Sequence, residues 1–206
     1  MKGYSFHRGK FCEDQSIPEN SIAAIVEAIK MKADIEIDIR ITADNVLVVF
    51  HDESLHRMCN VDGLIENMTY DAIQEYSLKK TKEHIPTFEQ VLHVVDGQIN
   101  LIIEIKPTSR VDQVCTLVME HLFDYQGNYA ICSFHPMIVT YFKKYFHIHQ
   151  SGTRSSKCRF SGRSRNGERR FKVKYISGFG QILWYRYYFG QQYVLYFHHA
   201  DWFGNL

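Results

Sequence analysis

Proline is scarce in this sequence and cysteine is unpaired. Only 4 of 206 residues are proline, the last at Pro136, so most turns must come from glycine, asparagine and aspartate. The cysteines stand at 12, 59, 115, 132 and 158, odd in number and without a C-x-x-C pair. That fits neither a disulfide framework nor a zinc knuckle, and a reducing cytoplasm is the expected compartment. No apolar run approaches the ~20 residues of a membrane span, and the start, MKGYSFHRGK, lacks a signal-peptide stretch, so no stable membrane insertion is expected. An excess of one charge is missing too. With 24 Lys+Arg against 23 Asp+Glu, the formal net charge of +1 gives no global reason to expect a nucleic-acid partner or an acidic membrane. The length and a hydrophobic fraction of 45% suit one sizeable core.

The balance hides a split, because acidic residues are nearly absent from the last 60 positions. Residues 1–146 hold 14 Lys/Arg and 21 Asp/Glu, whereas 147–206 hold 10 and 2. The same tail carries 14 aromatics, against 15 in all that precedes it, and no proline.

Before that boundary the chain alternates strands and helices. KGYSFHRG reads as a short strand ending in a His-Arg-Gly turn. PENSIAAIVEAIKMKA reads as a helix, with Asn20 or Ser21 as N-cap and Ile22, Ile25, Ala28 and Ile29 at helical spacing. DIEIDIRI and VLVVFHD are strands joined by too few residues for a crossover helix. MTYDAIQEYSL and IPTFEQVLHVV read as helices, the second capped by Thr87. INLIIEIKP is a strand buried on both faces, followed by helix VDQVCTLVMEHLFDY, strand YAICSF and helix HPMIVTYFKKYF. Repeated strand–helix units with polar groups at strand ends argue for an α/β fold with a parallel sheet, a TIM-type (β/α) barrel.

Side chains two apart on a strand share a face, so Glu36, Asp38 and Arg40 oppose isoleucines 35, 37, 39 and 41. In a barrel the isoleucine face packs under helices and the carboxylates enter the lumen. Carboxylates there need a neutralising cation, and oxygen ligands suit a hard divalent ion. The alternative is a strand with one wet face. IIEIK repeats the pattern with Glu104 and Lys106, for which a buried ion pair is the plainer reading. His7 and His51 each end a strand, where barrel active sites gather, with Arg8 and Asp52 beside them. Together these residues supply the parts of metal-assisted phosphodiester cleavage. A cation on Glu36, Asp38 and Glu104 would polarise phosphoryl oxygens. Arg8 and Lys106 would hold phosphate, and His7 and His51 would exchange protons, since imidazole titrates close to neutrality. Other histidines (56, 84, 93, 121 and 135) show no ligand spacing and read as surface or helix residues, and Cys132 reads as core packing.

In HRG (7–9), PENS (18–21), EID (36–38), VVFHD (48–52), LHR (55–57), IPTFEQVL (85–92) and IEIKP (103–107), the sequence resembles the glycerophosphodiester phosphodiesterases. The resemblance covers roughly residues 1–146 and implies a TIM barrel with one divalent cation, Ca2+ or Mg2+. It implies hydrolysis of a small-molecule glycerophosphodiester to glycerol 3-phosphate and an alcohol. By the same resemblance, His7 and His51 match the acid/base pair, Glu36, Asp38 and Glu104 the metal ligands, and Arg8 and Lys106 the phosphate contacts. A small insertion over about 53–83 is expected to cover the site. A barrel phospholipase acting on lysophospholipids is the nearest rival.

From residue 147 the resemblance stops, and the barrel is expected to be incomplete. FKVKYISGFG alternates briefly and QQYVLYF is a candidate strand, while Trp184 and Trp202 lie in no motif. Three readings of this tail compete. It could be a basic-aromatic extension on an inactive truncated barrel, binding nucleic acid or acidic membrane. It could be a diverged barrel end, or the product of a frame shift near codons 146–152. Abrupt changes in charge, proline and aromatic content at one point favour the frame shift.

Overall fold

The computed structural model describes residues 5–150 and 193–197. Strand β1 (Ser5–His7) lies parallel to the first half of β2 (Asp34–Ile41), with His7 opposite Glu36. Strand β3 (Leu47–Val49) returns antiparallel along the end of β2, Leu47 opposite Ile41, through a turn in which Asn45 takes φ 70°. On the other edge of β2, β4 (Leu101–Ile105) and then β5 (Tyr129–Ser133) continue in parallel. The register sets Asp38 opposite Glu104 and Glu104 opposite Cys132. Four parallel strands therefore form part of a (β/α) barrel, as the alternation of elements implied.

All four isoleucines of β2 are fully buried on one face, where β-branched side chains pack well against neighbours. Four helices cover that face: α1 (Ile22–Lys30), α4 (Phe88–Val95), α5 (Val111–Leu122) and α6 (Pro136–Gln150), with the single turns α2 (His56–Cys59) and α3 (Tyr70–Ile73) lying between α1 and α4 in the chain. Ile25, Phe88, Val118 and Phe142 join the isoleucines in one apolar cluster. Truncating Phe88, which is fully buried, would cost about 3–5 kcal/mol in lost transfer energy and cavity. Helix α4 starts at a capping box: Thr87 Oγ1 accepts from Gln90 N, and Gln90 Oε1 accepts from Thr87 N.

Of the two N-cap candidates, Ser21 caps α1, its hydroxyl accepting from Ala24 N at 3.1 Å. Two expectations need correction. The helix expected over MTYDAIQEYSL is a single turn, α3. It stops because the Gln74 side chain donates to Ile85 O at 2.8 Å and the chain bends to bury Leu78. Helix α6 runs past residue 146 to Gln150.

The segment around 53–83 has a core of its own, in which Leu55, Met58, Ile65, Ile73 and Leu78 pack on Val48, Phe50 and Ile85. It is also tied to α1, because Glu83 Oε2 accepts from Ala23 N at 3.1 Å. Within QQYVLYF, strand β6 (Tyr193–Phe197) pairs antiparallel with β5, Tyr193 opposite Ser133. It takes the edge where an all-parallel barrel would place its next strand, in the opposite direction. The other tail features, FKVKYISGFG, Trp184, Trp202 and Cys158, lie outside the described residues, as does the stretch on which the three readings of the tail turn.

Candidate active site

Alternation on β2 and pairing with β4 bring Glu36, Asp38 and Glu104 together on the face opposite the isoleucines. Their carboxylate oxygens lie within 4.8 Å of one another, and all three side chains are buried. Such a cluster is costly unless cations meet it. Lys106 partly does: its Nζ lies 2.7 Å from Asp38 Oδ1 and 2.6 Å from Glu104 Oε1. The ion pair that was the plainer reading of IIEIK is therefore present, inside the cluster expected to hold a metal. Asn20 Nδ2 donates to Asp38 Oδ2 at 2.8 Å, and the Arg8 N–H donates to Glu36 Oε2 at 3.1 Å. Glu36 Oε1 is buried with no hydrogen-bond partner, so the donor set is unfinished on that side.

Charge follows the same division. Burial and then the charges of Asp38 and Glu104 push the Glu36 carboxyl well above its ordinary range. Burial acts the same way on Asp38, but the Lys106 ammonium outweighs it and holds Asp38 below its ordinary range. Lys106 is in turn raised, because both carboxylates more than offset its desolvation. Three hard oxygen donors, one of them uncompensated, fit a divalent cation of the Ca2+ or Mg2+ type.

The histidines flank this cluster. His7 Nε2 is 3.7 Å from Glu36 Oε2, and 63% of the His7 side chain is open to solvent. Desolvation on its inner side, then the charge of Arg8, draws the His7 pKa below 6.5. The turn that presents it is tight: Arg8 and Gly9 take φ 59° and 76°, and Lys10 N donates to Ala24 O at 2.9 Å. His51 follows β3. Its carbonyl accepts from Arg40 Nε at 2.9 Å, and Phe50 N donates to Asp38 O, so both neighbours are fixed to β2. The His51 ring meets Asp52, with Nδ1 2.6 Å from Oδ1.

All seven expected site residues thus gather where β1 and β4 end, along the middle of β2 and just after β3. Arg8 and Lys106 were expected to face phosphate, and both also contact protein carboxylates: Arg8 Nη1 donates to Glu19 Oε1 at 2.9 Å. Sequence reasoning missed Glu19 and Asn20 as site residues, although both stand in the PENS motif, and missed Arg57 in LHR. Among the histidines set aside, His56 pairs with Asp62 at the surface and His121 packs edge-on to Phe88. His84 and His93 are exposed. His135 is half-buried just after β5, and its Nδ1 has no hydrogen-bond partner.

Residues 7–150 match the glycerophosphoryl diester phosphodiesterase family. The chain belongs to this family. It is 36% identical over 108 residues to the glycerophosphodiester phosphodiesterase of Caldanaerobacter subterraneus, and 30% identical over 140 residues to that of Bacillus altitudinis. Those alignments take in 48% and 62% of the chain, which spans only 43% and 57% of these relatives' own lengths. A phosphodiesterase of Oleispira antarctica, solved in complex with its product sn-glycerol-3-phosphate, shares the fold at TM-score 0.63 and 24% identity over 69% of this chain and 61% of that one. The glycerophosphodiester phosphodiesterase of Agrobacterium tumefaciens superposes at TM-score 0.59 with 26% identity, over 70% and 63%. As a member of the family, the chain carries all seven expected site residues inside the matched segment. No helix among the described residues is long and apolar enough to cross a membrane.

Proposed function

We propose that this chain carries the metal-assisted site of a phosphodiesterase that hydrolyses glycerophosphodiesters to glycerol 3-phosphate and an alcohol. The observation that carries the reading is the buried trio Glu36, Asp38 and Glu104 with oxygens within 4.8 Å and one of them unpartnered. These residues would hold one divalent cation, Ca2+ or Mg2+, which supplies Lewis-acid polarisation of a phosphoryl oxygen when bound.

The chain's own groups do the rest. An ammonium has three donors, and Lys106 commits two of them to Asp38 and Glu104, leaving the third for a phosphate oxygen. The Arg8 guanidinium, anchored through Nη1 to Glu19 and with Nε buried 3.5 Å from Asp38 Oδ2, offers Nη2 to the same anion. His7 and His51 serve as the acid/base pair. With Nδ1 of His51 committed to Asp52, Nε2 is the atom that gives or takes the proton. Water gives up a proton as it attacks phosphorus, the P–O bond to the alcohol breaks, and the departing oxygen receives a proton; where the glycerol hydroxyl attacks instead, the cyclic phosphate so formed is opened by water in a second step to give glycerol 3-phosphate. The product bound by the Oleispira antarctica relative is consistent with this outcome.

The test is release of glycerol 3-phosphate from glycerophosphocholine. Turnover that needs Mg2+ or Ca2+, stops with chelator and falls at least about 100-fold in His51→Ala supports the reading. Metal-independent turnover, or full activity in His51→Ala, overturns it.

A further inference from the structure

Beyond the trio and the two histidines, one more charged side chain converges on the site, and neither the acid/base chemistry nor the phosphate binding above uses it. Arg57, on α2 of the covering segment, grips two carboxylates at once. Its Nη2 is 2.5 Å from Glu19 Oε1 and its Nη1 is 3.1 Å from Glu19 Oε2. Its Nε is 2.5 Å from Asp52 Oδ2 and its Nη2 is 3.1 Å from Asp52 Oδ1. Asp52 in turn meets His51 Nδ1 at 2.6 Å, and Glu19 also accepts from Arg8, the neighbour of His7. The result is a continuous strut, Arg8–Glu19–Arg57–Asp52–His51, joining the loops after β1 and β3 through the cover.

We infer that Arg57 and Glu19 are positioning residues, which fix the Asp52 carboxylate and through it the orientation and tautomer of His51. This rests on the acid/base role proposed for His51. The planar guanidinium is required because it bonds two carboxylates along two edges, whereas an ammonium on a flexible stem cannot hold both in one plane. Glu19 is the buried anchor, only 6% exposed, and the exposed residue Arg57 is held against it. Without Arg57, Asp52 is free to turn from the imidazole, and a histidine with no acceptor on Nδ1 no longer keeps Nε2 free for proton exchange. Lys79 and Lys80, on the same cover, add positive charge nearby but contact neither carboxylate among the described residues.

Two readouts test the strut, one of them independent of turnover. Histidine 15N NMR of the full chain reads the His51 tautomer. Wild type is expected to hold the Nδ1–H form, and Arg57→Gln and Arg57→Lys to shift to the Nε2–H form. In the hydrolysis assay both variants are expected to lose about 10- to 100-fold in kcat at unchanged KM. The Glu19→Gln/Arg57→Gln pair should lose no more than either alone, because they act as one unit. Thermal unfolding verifies that each variant is folded, and one that is not is replaced by Arg57→Lys. If wild type hydrolyses substrate and Arg57→Lys keeps both kcat and the Nδ1–H tautomer, the inference falls. If wild type fails to hydrolyse, the proposed activity falls, and the tautomer alone decides the strut.

Discussion

Lys106 Nζ sits 2.7 Å from Asp38 Oδ1 and 2.6 Å from Glu104 Oε1, bridging two strands of the barrel through one ammonium. It is only 8% exposed, and Asp38 is not exposed at all. Removing one partner of a buried ion pair strands the other, a loss of about 3–5 kcal/mol. Lys106→Ala is therefore expected to unfold at a markedly lower urea midpoint than wild type. Saturating Mg2+ should recover part of the loss, because the cation replaces the missing charge. A midpoint equal to wild type without Mg2+ would show that the pair contributes nothing.

Acid should weaken the strut in a defined window. Burial alone would raise the Asp52 carboxyl, but hydrogen bonds from Arg57 and His51 outweigh it and bring its pKa down from 3.8 to about 2. A carboxylate lowered on folding stabilises the protein fully above its unfolded pKa, and that stabilisation fades as pH falls through the folded value. The stability difference between wild type and Asp52→Asn should hold above pH 4 and shrink steadily toward pH 2. Denaturant titrations at several pH values read it directly, and a difference independent of pH across that window would contradict the assignment.

Gly9 should resist replacement. Its φ is 76°, where L side chains are strained, and a Cβ there would lie 3.0 Å from Ala24 Cβ and 3.1 Å from Ala24 C. Gly9→Ala is expected to cost about 1–3 kcal/mol of stability and to displace the His7–Arg8 turn from α1. Chemical denaturation measures the first. Reduced turnover with an intact fold would mark the second.

Much of this site was legible because its residues obey a strand period. Glu36, Asp38, Glu104 and Lys106 fall on one face by alternation alone, and the register of β2 with β4 then forces them together. Thr87 was legible as a cap because its partner, Gln90, is three residues away. Asn20, Glu19 and Arg57 were not, for a physical reason. They sit on loops and a single helical turn, and their partners are 5 to 38 residues distant at no helical or strand period, so no local spacing marks them. Asn20 stood beside Ser21 as a cap candidate because asparagine caps helices well, yet at φ 57° its side chain turns inward to Asp38. The single turn α3 looked longer because its apolar residues continue at near-helical spacing. The tertiary pull of Leu78 into the apolar cluster of the 53–83 segment ends it. β6 was visible as a candidate strand in QQYVLYF, but its antiparallel direction is a property of the edge it meets.

The most direct test of the account is calorimetric titration of Mg2+ and Ca2+ into the chain and into Glu36→Gln. The trio predicts one divalent cation bound per chain by wild type, with heat abolished or affinity reduced at least about 10-fold in the variant. It also predicts a cation-dependent rise in unfolding temperature that Glu36→Gln loses. Cation binding of equal strength in both proteins, or none in wild type, would contradict the central claim that Glu36, Asp38 and Glu104 form a metal site.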